Sequence, residues 1–213
     1  QWADTTDPTA SILQVKNLCV SFSSYAGKVQ AVRDVSFDLY RGETLSIVGE
    51  SGSGKSVTTK AVLGILSGNA TIESGEILYN GADLAKFQDK DFADIRGKKI
   101  SLVFQDPLSA LNPIMKIGKQ IVEALVLSGS TPKGEAKEKA LDLMRRVGIP
   151  QPEIRFNQYP FQFSGGMRQR IVIAIALASD PEILICDEPT TALDVTIQAQ
   201  ILQLIKDLQK EFN

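Results

Sequence analysis

Residues 11–40 of the chain alternate between apolar and polar positions. Apolar and polar side chains alternate along much of residues 11–24 and 28–40, as in Val35, Phe37 and Leu39. A period of two is typical of strands that bury one face, and residues 24–27 between the two segments include turn-forming Ser and Gly. We therefore predict an antiparallel pair of strands after a polar segment, residues 1–10.

Short, nearly continuous apolar runs occur at residues 45–48, 100–104 and 183–186. Runs of this kind are typical of strands buried on both faces of a parallel sheet. Helical patterns follow at residues 57–66, 168–178 and 195–212, the last with apolar side chains along one side. A further strand over residues 76–81 ends in an Asn-Gly turn signal, and a short helix is predicted over residues 89–96. Strands and helices that alternate in this way predict an α/β fold with a mostly parallel, doubly wound sheet.

The middle of the chain has a different character. Six prolines punctuate residues 106–160, and helical patterns cover residues 117–127 and 133–147. We predict a helical subdomain over residues 106–160, inserted into an α/β core formed by residues 1–105 and 161–213.

Composition excludes several classes of function. The chain has 213 residues, a net charge of −2 and no histidine, which excludes imidazole catalysis and histidine metal sites within it. Without a basic excess, nucleic acid is not expected as the main ligand. Neither an apolar run long enough to span a bilayer nor a signal-peptide pattern is present, so we expect a cytosolic location. Cys19 and Cys186 are expected to be free thiols rather than a disulfide.

The most specific chemical signal is a glycine-rich segment between a predicted strand and a predicted helix. Residues 49–56 read Gly-Glu-Ser-Gly-Ser-Gly-Lys-Ser and match the phosphate-loop pattern. Glycines let the backbone N–H groups turn inward toward phosphate oxygens, and a helix N-terminus adds a partial positive charge. Lys55 would reach the β- and γ-phosphates and Ser56 would ligate Mg²⁺. The predicted nucleotide-binding residues here are Gly49, Ser51, Gly52, Ser53, Gly54, Lys55, Ser56 and Val57.

Two acidic residues, Asp187 and Glu188, follow the aliphatic strand at residues 183–186. The carboxyl ends of parallel strands line the crevice in which open α/β sheets hold ligands. Asp187 suits the coordination shell of Mg²⁺, and Glu188 would act as general base or orient the attacking water. Gln105 ends its own apolar strand and would place its side-chain amide near the metal and the water. We predict Glu188, Lys55 and Gln105 as catalytic residues and Ser56, Gln105 and Asp187 as metal ligands.

A third motif, Ser164-Gly165-Gly166, begins the helix predicted near residue 168. Serine is a favourable N-cap, and the two glycines leave backbone N–H groups accessible to an anion. The residues by themselves are more typical of an ordinary helix cap.

Taken together and in this order, the motifs resemble those of ATP-binding-cassette (ABC) transporter ATPases. The resemblance extends from about Ile12 to the end of the chain and includes Cys186-Asp187-Glu188-Pro189-Thr190-Thr191-Ala192-Leu193-Asp194. It implies a P-loop ATPase of ABC type with an N-terminal antiparallel β subdomain and an inserted helical subdomain. It further implies a head-to-tail dimer in which ATP lies between the phosphate loop of one copy and Ser164, Gly165 and Gly166 of the other. Asp194 would link the two sites, and an aromatic residue, Tyr25 or alternatively Phe22, would stack on adenine.

The segments around Gln105, Ser164 and Asp194 resemble more narrowly the ATPases of dipeptide, oligopeptide and nickel importers. That subgroup implies a pair of membrane permease subunits, an external solute-binding protein, and a second ATPase that is identical or non-identical. The region from Gln105 to Asn112 would receive a cytoplasmic helix of the permease, so the protein would lie at the cytoplasmic face of the membrane. In the family a further strand and a switch histidine follow, so the chain resembles a cassette that stops before them.

Alternatives remain at this point. An ABC cassette also serves as an ATP switch that acts on DNA, a ribosome or a protein partner, and the subgroup resemblance does not separate nickel import from peptide import.

Overall fold

The computed structural model describes residues 11–43, 45, 54–103, 110–129, 131–186 and 195–212, excluding the side chains of residues 195–198, 201, 211 and 212. The chain divides into two compact units, one ending at Ala93 and the other comprising Asp94–Phe212. The predicted division into a core and a helical subdomain over residues 106–160 stays a prediction beside this division.

A four-stranded antiparallel sheet dominates the first unit. Its strands are β1 (Ser11–Ser24), β2 (Gly27–Tyr40), β3 (Ala70–Tyr79) and β4 (Ala82–Asp83), in the order β2-β1-β3-β4. Because β1 is paired on both edges, it contributes most to the core, with Leu13, Val15, Leu18 and Val20 buried. The alternating face of β2 is only half-buried, as expected for an edge strand with one covered face.

The first unit also contains helix α1 (Lys55–Leu63) and 3-10 helices at Leu84–Lys86 and Asp89–Asp94. The helix α1 was predicted to continue to residue 66 but ends at Gly64, which caps it in the left-handed region. An added Cβ at Gly64 would lie 2.3 Å from the buried Phe92 ring. The left-handed backbone conformation and the nearby ring therefore both favour glycine at the position that ends the helix.

The second unit combines a parallel strand pair with five helices among its described residues. Strand β5 (Ile100–Val103) pairs in parallel with β6 (Ile183–Cys186), in the register Ile100 opposite Ile183. The helices are α2 (Ile117–Leu127), α3 (Ala136–Arg146), the short α4 (Pro152–Arg155), α5 (Gly165–Leu177) and α6 (Val195–Phe212). One apolar cluster joins the strands to helices α2, α3, α5 and α6, with Ile121, Met144, Ile171 and Leu204 among its members.

Most predicted elements are confirmed, and the differences occur at their ends. The helix predicted over residues 133–147 begins only at Ala136, since Pro132 and Gly134 favour a turn there. The strand predicted over residues 76–81 covers Ala70–Tyr79 instead. Gly75 lies within the strand at φ +98° and does not end it. The segment predicted as a helix over residues 89–96 is a 3-10 helix.

The predicted Asn-Gly turn joins β3 to β4 with both residues at positive φ. Both cysteines are free, as predicted, although each is half-buried rather than fully buried. The predicted strand before the phosphate loop falls largely on residues 46–48, which lie outside the described residues.

Candidate functional site

The described part of the phosphate-loop motif is its last glycine and the start of α1. Gly54 has φ +93°, and its carbonyl accepts hydrogen bonds from the Thr58 N–H (2.9 Å) and the Thr58 hydroxyl (2.8 Å). A Cβ at Gly54 would lie 2.6 Å from the Ala31 carbonyl oxygen of β2. Glycine is therefore required here by its φ angle and by the close approach of a neighbouring strand.

Lys55 and Ser56 occupy the first turn of α1, where both are half-buried. No acidic residue lies in that turn, so the positive end of the helix dipole is not offset by a carboxylate from the helix itself. The structure thus places a lysine, a serine hydroxyl and a helix N-terminus together, as the motif predicts. The remaining predicted residues of the loop, Gly49, Ser51, Gly52 and Ser53, lie outside the described residues.

The third predicted motif forms the start of α5 in the second unit. Ser164 is the N-cap, and its hydroxyl accepts a hydrogen bond from the Met167 N–H at 3.3 Å. Gly165 is exposed and Gly166 is buried, and the first turn contains no acidic residue. The helix was predicted from residue 168 and begins at Gly165, because the serine cap starts it earlier.

Two arginines of α5 fasten the start of this helix to the segments that precede it. The Arg168 Nε donates to the Pro160 carbonyl at 2.8 Å, and a terminal nitrogen of Arg170 donates to the Val147 carbonyl at 2.7 Å. Side-chain-to-backbone bonds of this kind hold the glycine-bearing turn in position without using its own N–H groups.

Sequence reasoning missed Gln169 of the same helix. The residue is fully buried, and within the described residues neither polar atom of its amide has a hydrogen-bond partner. Gln169 lies three residues before Val172 and seven before Ala176, which places it on the same side of α5 as these apolar residues. This spacing could have predicted its burial from the sequence.

The acidic pair predicted to complete the site follows β6 directly. Asp187, Glu188 and Asp194, like Gln105 after β5, lie outside the described residues. The last described residue before them is Cys186, at the carboxyl end of β6, where burial raises the pKa of its thiol to about 12. This carboxyl end is the position at which a parallel sheet presents ligand-binding residues.

The two aromatic candidates for adenine stacking lie on the β1–β2 hairpin. Tyr25 is in the turn and is fully exposed, whereas Phe22 is half-buried on β1 opposite Val29. Ala31, whose carbonyl lies against Gly54, is two residues from Val29 and six from Tyr25.

A cavity of about 440 Å³ opens among β5, α2 and α5 of the second unit. Its lining is mostly apolar and includes Leu102, Leu127, Val172 and Ala176. Arg96 and Lys98 add positive charge, although Lys98 forms an ion pair with Asp94 at 3.7 Å.

The described residues contain neither a membrane-spanning helix nor a cluster of metal-binding side chains. Within the described ranges, no helix is both long and apolar enough to cross a bilayer. In the same ranges, no group of three Cys, Asp or Glu side chains is arranged to hold a metal ion.

The chain is similar to proteins named as ATP-binding proteins of peptide transport. The chain is 57% identical over 203 residues to a dipeptide transport ATP-binding protein of Lactococcus lactis subsp. cremoris, covering 95% of this chain and 58% of the relative. It is 56% identical over 203 residues to an oligopeptide transport ATP-binding protein of Bacillus subtilis, covering 95% of this chain and 57% of the relative. The chain therefore spans less than two thirds of the length of these relatives.

The fold is matched by solved structures. A dimeric ATP-binding cassette in a post-hydrolysis state, bound to ADP and Pi, superposes with a TM-score of 0.79 at 29% identity, over 93% of this chain and 83% of that one. A Clostridium perfringens protein from the transporter complex cbiONQ gives the same score at 28% identity, over 95% and 75%. The family profile described as ABC transporter matches residues 32–191, which is more than half of the chain. The chain belongs to the ABC transporter family and has the α/β fold of its P-loop ATPases.

Proposed function

We propose that the protein containing this chain binds and hydrolyses ATP to drive the import of peptides through a membrane permease. The observation that carries this proposal is the high identity, along nearly the whole chain, to proteins named as dipeptide and oligopeptide transport ATP-binding proteins. The start of α1 supports it, since Gly54, Lys55 and Ser56 form the helix end that a nucleotide triphosphate requires.

In this proposal the phosphate loop, Gly49 and Ser51 to Val57, holds the triphosphate. Its main-chain N–H groups and Lys55 neutralise phosphate charge, and this charge neutralisation is most of what catalyses phosphoryl transfer. The donor set fits Mg²⁺, because the Ser56 hydroxyl, the Gln105 amide oxygen and the Asp187 carboxylate are hard oxygen ligands. When bound there, the ion would offset the negative charge of the phosphates.

Glu188 is proposed to act on the attacking water. A carboxylate one residue beyond Asp187 accepts a proton from the water or orients it toward the γ-phosphate, and Gln105 fixes the water from the neighbouring strand. Residues 1–213 contain no histidine, so no imidazole within them takes part.

The start of α5 would contact a nucleotide that is held by a second cassette. We propose a head-to-tail dimer in which Ser164, Gly165 and Gly166 of one cassette face the γ-phosphate held by the other, with Asp194 linking the two sites. The positive end of α5, free of acids in its first turn, supports this role. The partner is a second ABC ATPase, either identical or homologous.

For the nucleobase, we propose Tyr25 as the stacking residue, with Phe22 as the alternative. Tyr25 lies in the β1–β2 turn with its ring fully exposed, whereas Phe22 is half-buried on β1.

The cavity beside α5 is our proposed contact with the permease. Its apolar lining suits a short helix from a membrane subunit, and it includes Ala110, which belongs to the region from Gln105 to Asn112 that the resemblance assigns to this contact. The protein would then be peripheral, on the cytoplasmic face of the membrane, and would meet the external solute-binding protein only through the permease. The helical subdomain would cover residues 106–160.

The proposal is tested with the full-length protein assembled with its permease in lipid vesicles. Glu188→Gln should retain ATP binding and lose most hydrolysis, while Lys55→Ala should lose both, as expected for a cation worth about 10³-fold or more in rate. Uptake of a labelled dipeptide into the vesicles should require ATP. Wild-type hydrolysis by Glu188→Gln would overturn the role of Glu188. Recovery of ribosomes or DNA with the protein in place of peptide uptake would overturn the transport assignment. Nickel uptake in place of peptide uptake would overturn the peptide assignment.

A further inference from the structure

An exposed aromatic side chain and its half-buried stacking partner lie just before α5. The rings of Tyr159 and Phe161 are stacked, with centroids 6.1 Å apart and an interplanar angle of 12°. Phe161 is 72% exposed although it is a large apolar side chain. We call this pair the aromatic ledge.

The ledge is held rigidly by the backbone beneath it. Residues Pro160–Gln162 form a 3-10 turn, in which the Gln162 side chain accepts from the Tyr159 N–H at 2.9 Å. The Gln162 N–H in turn donates to the Tyr159 carbonyl at 3.0 Å, and Arg168 fixes the Pro160 carbonyl at 2.8 Å. The neighbours Pro160 and Phe163 are buried. A partner that contacts the exposed ring therefore need not order the backbone that carries it.

The position of the ledge in the chain relates it to the phosphate-facing end of α5. Phe161 is three residues before the cap Ser164, so their Cα atoms are at most about 10 Å apart. A ligand whose phosphate end meets the start of α5 therefore has its remaining part within reach of the ledge. Within that reach an exposed aromatic face favours a flat, aromatic group.

We infer that the ledge stacks against the nucleobase of the nucleotide bound to the partner cassette, an inference that rests on the proposed head-to-tail dimer. The base would then lie between an aromatic residue of the cassette that holds the phosphates and Phe161 of the cassette that supplies Ser164. Phe161 contributes only when the two cassettes meet, so it acts on nucleotide-dependent association and not on the capture of ATP by one cassette.

The test uses the full-length Glu188→Gln protein, in which ATP is retained, together with its partner cassette. The association constant in the presence of Mg–ATP is measured by sedimentation for Phe161, Phe161→Ala, Phe161→Leu and Phe161→Trp. Loss of the ring should weaken association roughly 5- to 150-fold, the range found for base–aromatic stacking, and Trp should restore it while Leu should not. Leu202→Ala, which removes another exposed apolar side chain, is the matched control and should have no effect.

A second measurement separates stacking from other roles. Binding of a fluorescent ATP analogue to the isolated full-length protein should be the same for Phe161 and Phe161→Ala, and their melting temperatures should agree. Unchanged ATP-dependent association in Phe161→Ala would overturn the inference while leaving the dimer intact. Equal rescue by Leu would show an apolar contact with a protein and would also overturn it. Absence of ATP-dependent association in the parent protein would overturn the proposed dimer, and the inference with it.

Discussion

Substitution of Gly54 by alanine tests the geometry at the start of α1 most directly. The substitution forces a Cβ into the left-handed region, which costs about 1–2 kcal/mol. It also places that Cβ 2.6 Å from the Ala31 carbonyl oxygen, a backbone atom that moves only with strand β2. Overpacking of this kind costs about 1–3 kcal/mol. We expect Gly54→Ala to lower the free energy of unfolding by about 2–5 kcal/mol.

Two other glycines of the same unit separate these contributions. Gly27 has φ +118° but no atom within 4 Å of its added Cβ, so Gly27→Ala should show the conformational cost alone. Gly68 has open space and an ordinary φ, so Gly68→Ala should be neutral or stabilise by up to about 1 kcal/mol. Denaturant unfolding of the full-length protein, monitored by a probe on the first unit, gives all three values.

Nucleotide binding provides the functional measurement for the same variants. In the parent protein Mg–ATP at 100 times its Kd should add about 2.7 kcal/mol to the free energy of unfolding. Gly54→Ala should lose this increment because the start of α1 must shift away from β2, whereas Gly68→Ala should keep it. If Gly54→Ala were no less stable than Gly27→Ala and still responded to Mg–ATP, the close approach of Gly54 to Ala31 would be refuted.

The remaining predictions concern packing and thiol chemistry in the second unit. Gly118→Ala would bring a Cβ to 2.2 Å from the Phe156 ring and should cost about 1–3 kcal/mol in thermal unfolding, whereas Gly134→Ala, with open space, should cost nothing. At pH 8 the Cys186 thiol should react with iodoacetamide far more slowly in the native than in the unfolded protein, as followed by mass spectrometry. Since burial raises its pKa from 9.0 to about 12, stability should also fall as the pH rises above 9. Equal labelling of native and unfolded Cys186 would contradict this.

The elements that sequence predicted best are those whose local pattern and tertiary packing agree. The bounds of α2 and α6 match those predicted from their helical apolar spacing, and the bounds of β6 match its continuous apolar run. The start of β3 was missed, since glycine at position 75 is unfavourable in a strand. Its φ of +98° and its packing against the Asn17 backbone, with an added Cβ only 2.5 Å away, are tertiary features that no local signal contains.

Prediction of the candidate site from the sequence was limited in the same way, by features that depend on tertiary packing. Its residue types and order were predictable, because a phosphate loop needs glycines, a lysine and a helix in fixed sequence. The aromatic ledge was not, because the exposure of Phe161 depends on the 3-10 turn and on the hydrogen bond from Arg168 to Pro160. Burial of Gln169 likewise depends on which side of α5 meets the apolar cluster.

The way each helix start is neutralised differs among α1 to α5. Helices α3 and α4 carry Glu138 and Glu153 in their first turns. The first N–H groups of α2 donate to the carbonyls of residues 158 and 156, at 2.8 and 2.9 Å. For α1 and α5 no acid lies in the first turn, as is also true of α6, and α1 and α5 are the two starts predicted to meet phosphate.

A carboxylate added to the exposed first turn of α5 should therefore have opposite effects on stability and function. Gly165→Asp should stabilise the helix by about 0.3–1 kcal/mol through its dipole, beyond the neutral Gly165→Asn control. The same charge would repel the triphosphate held by the partner cassette, so ATP-dependent association of the full-length Glu188→Gln protein should fall for Asp and much less for Asn. If Asp and Asn weakened association equally, bulk and not charge would be responsible. The start of α5 would then not be a phosphate-binding site.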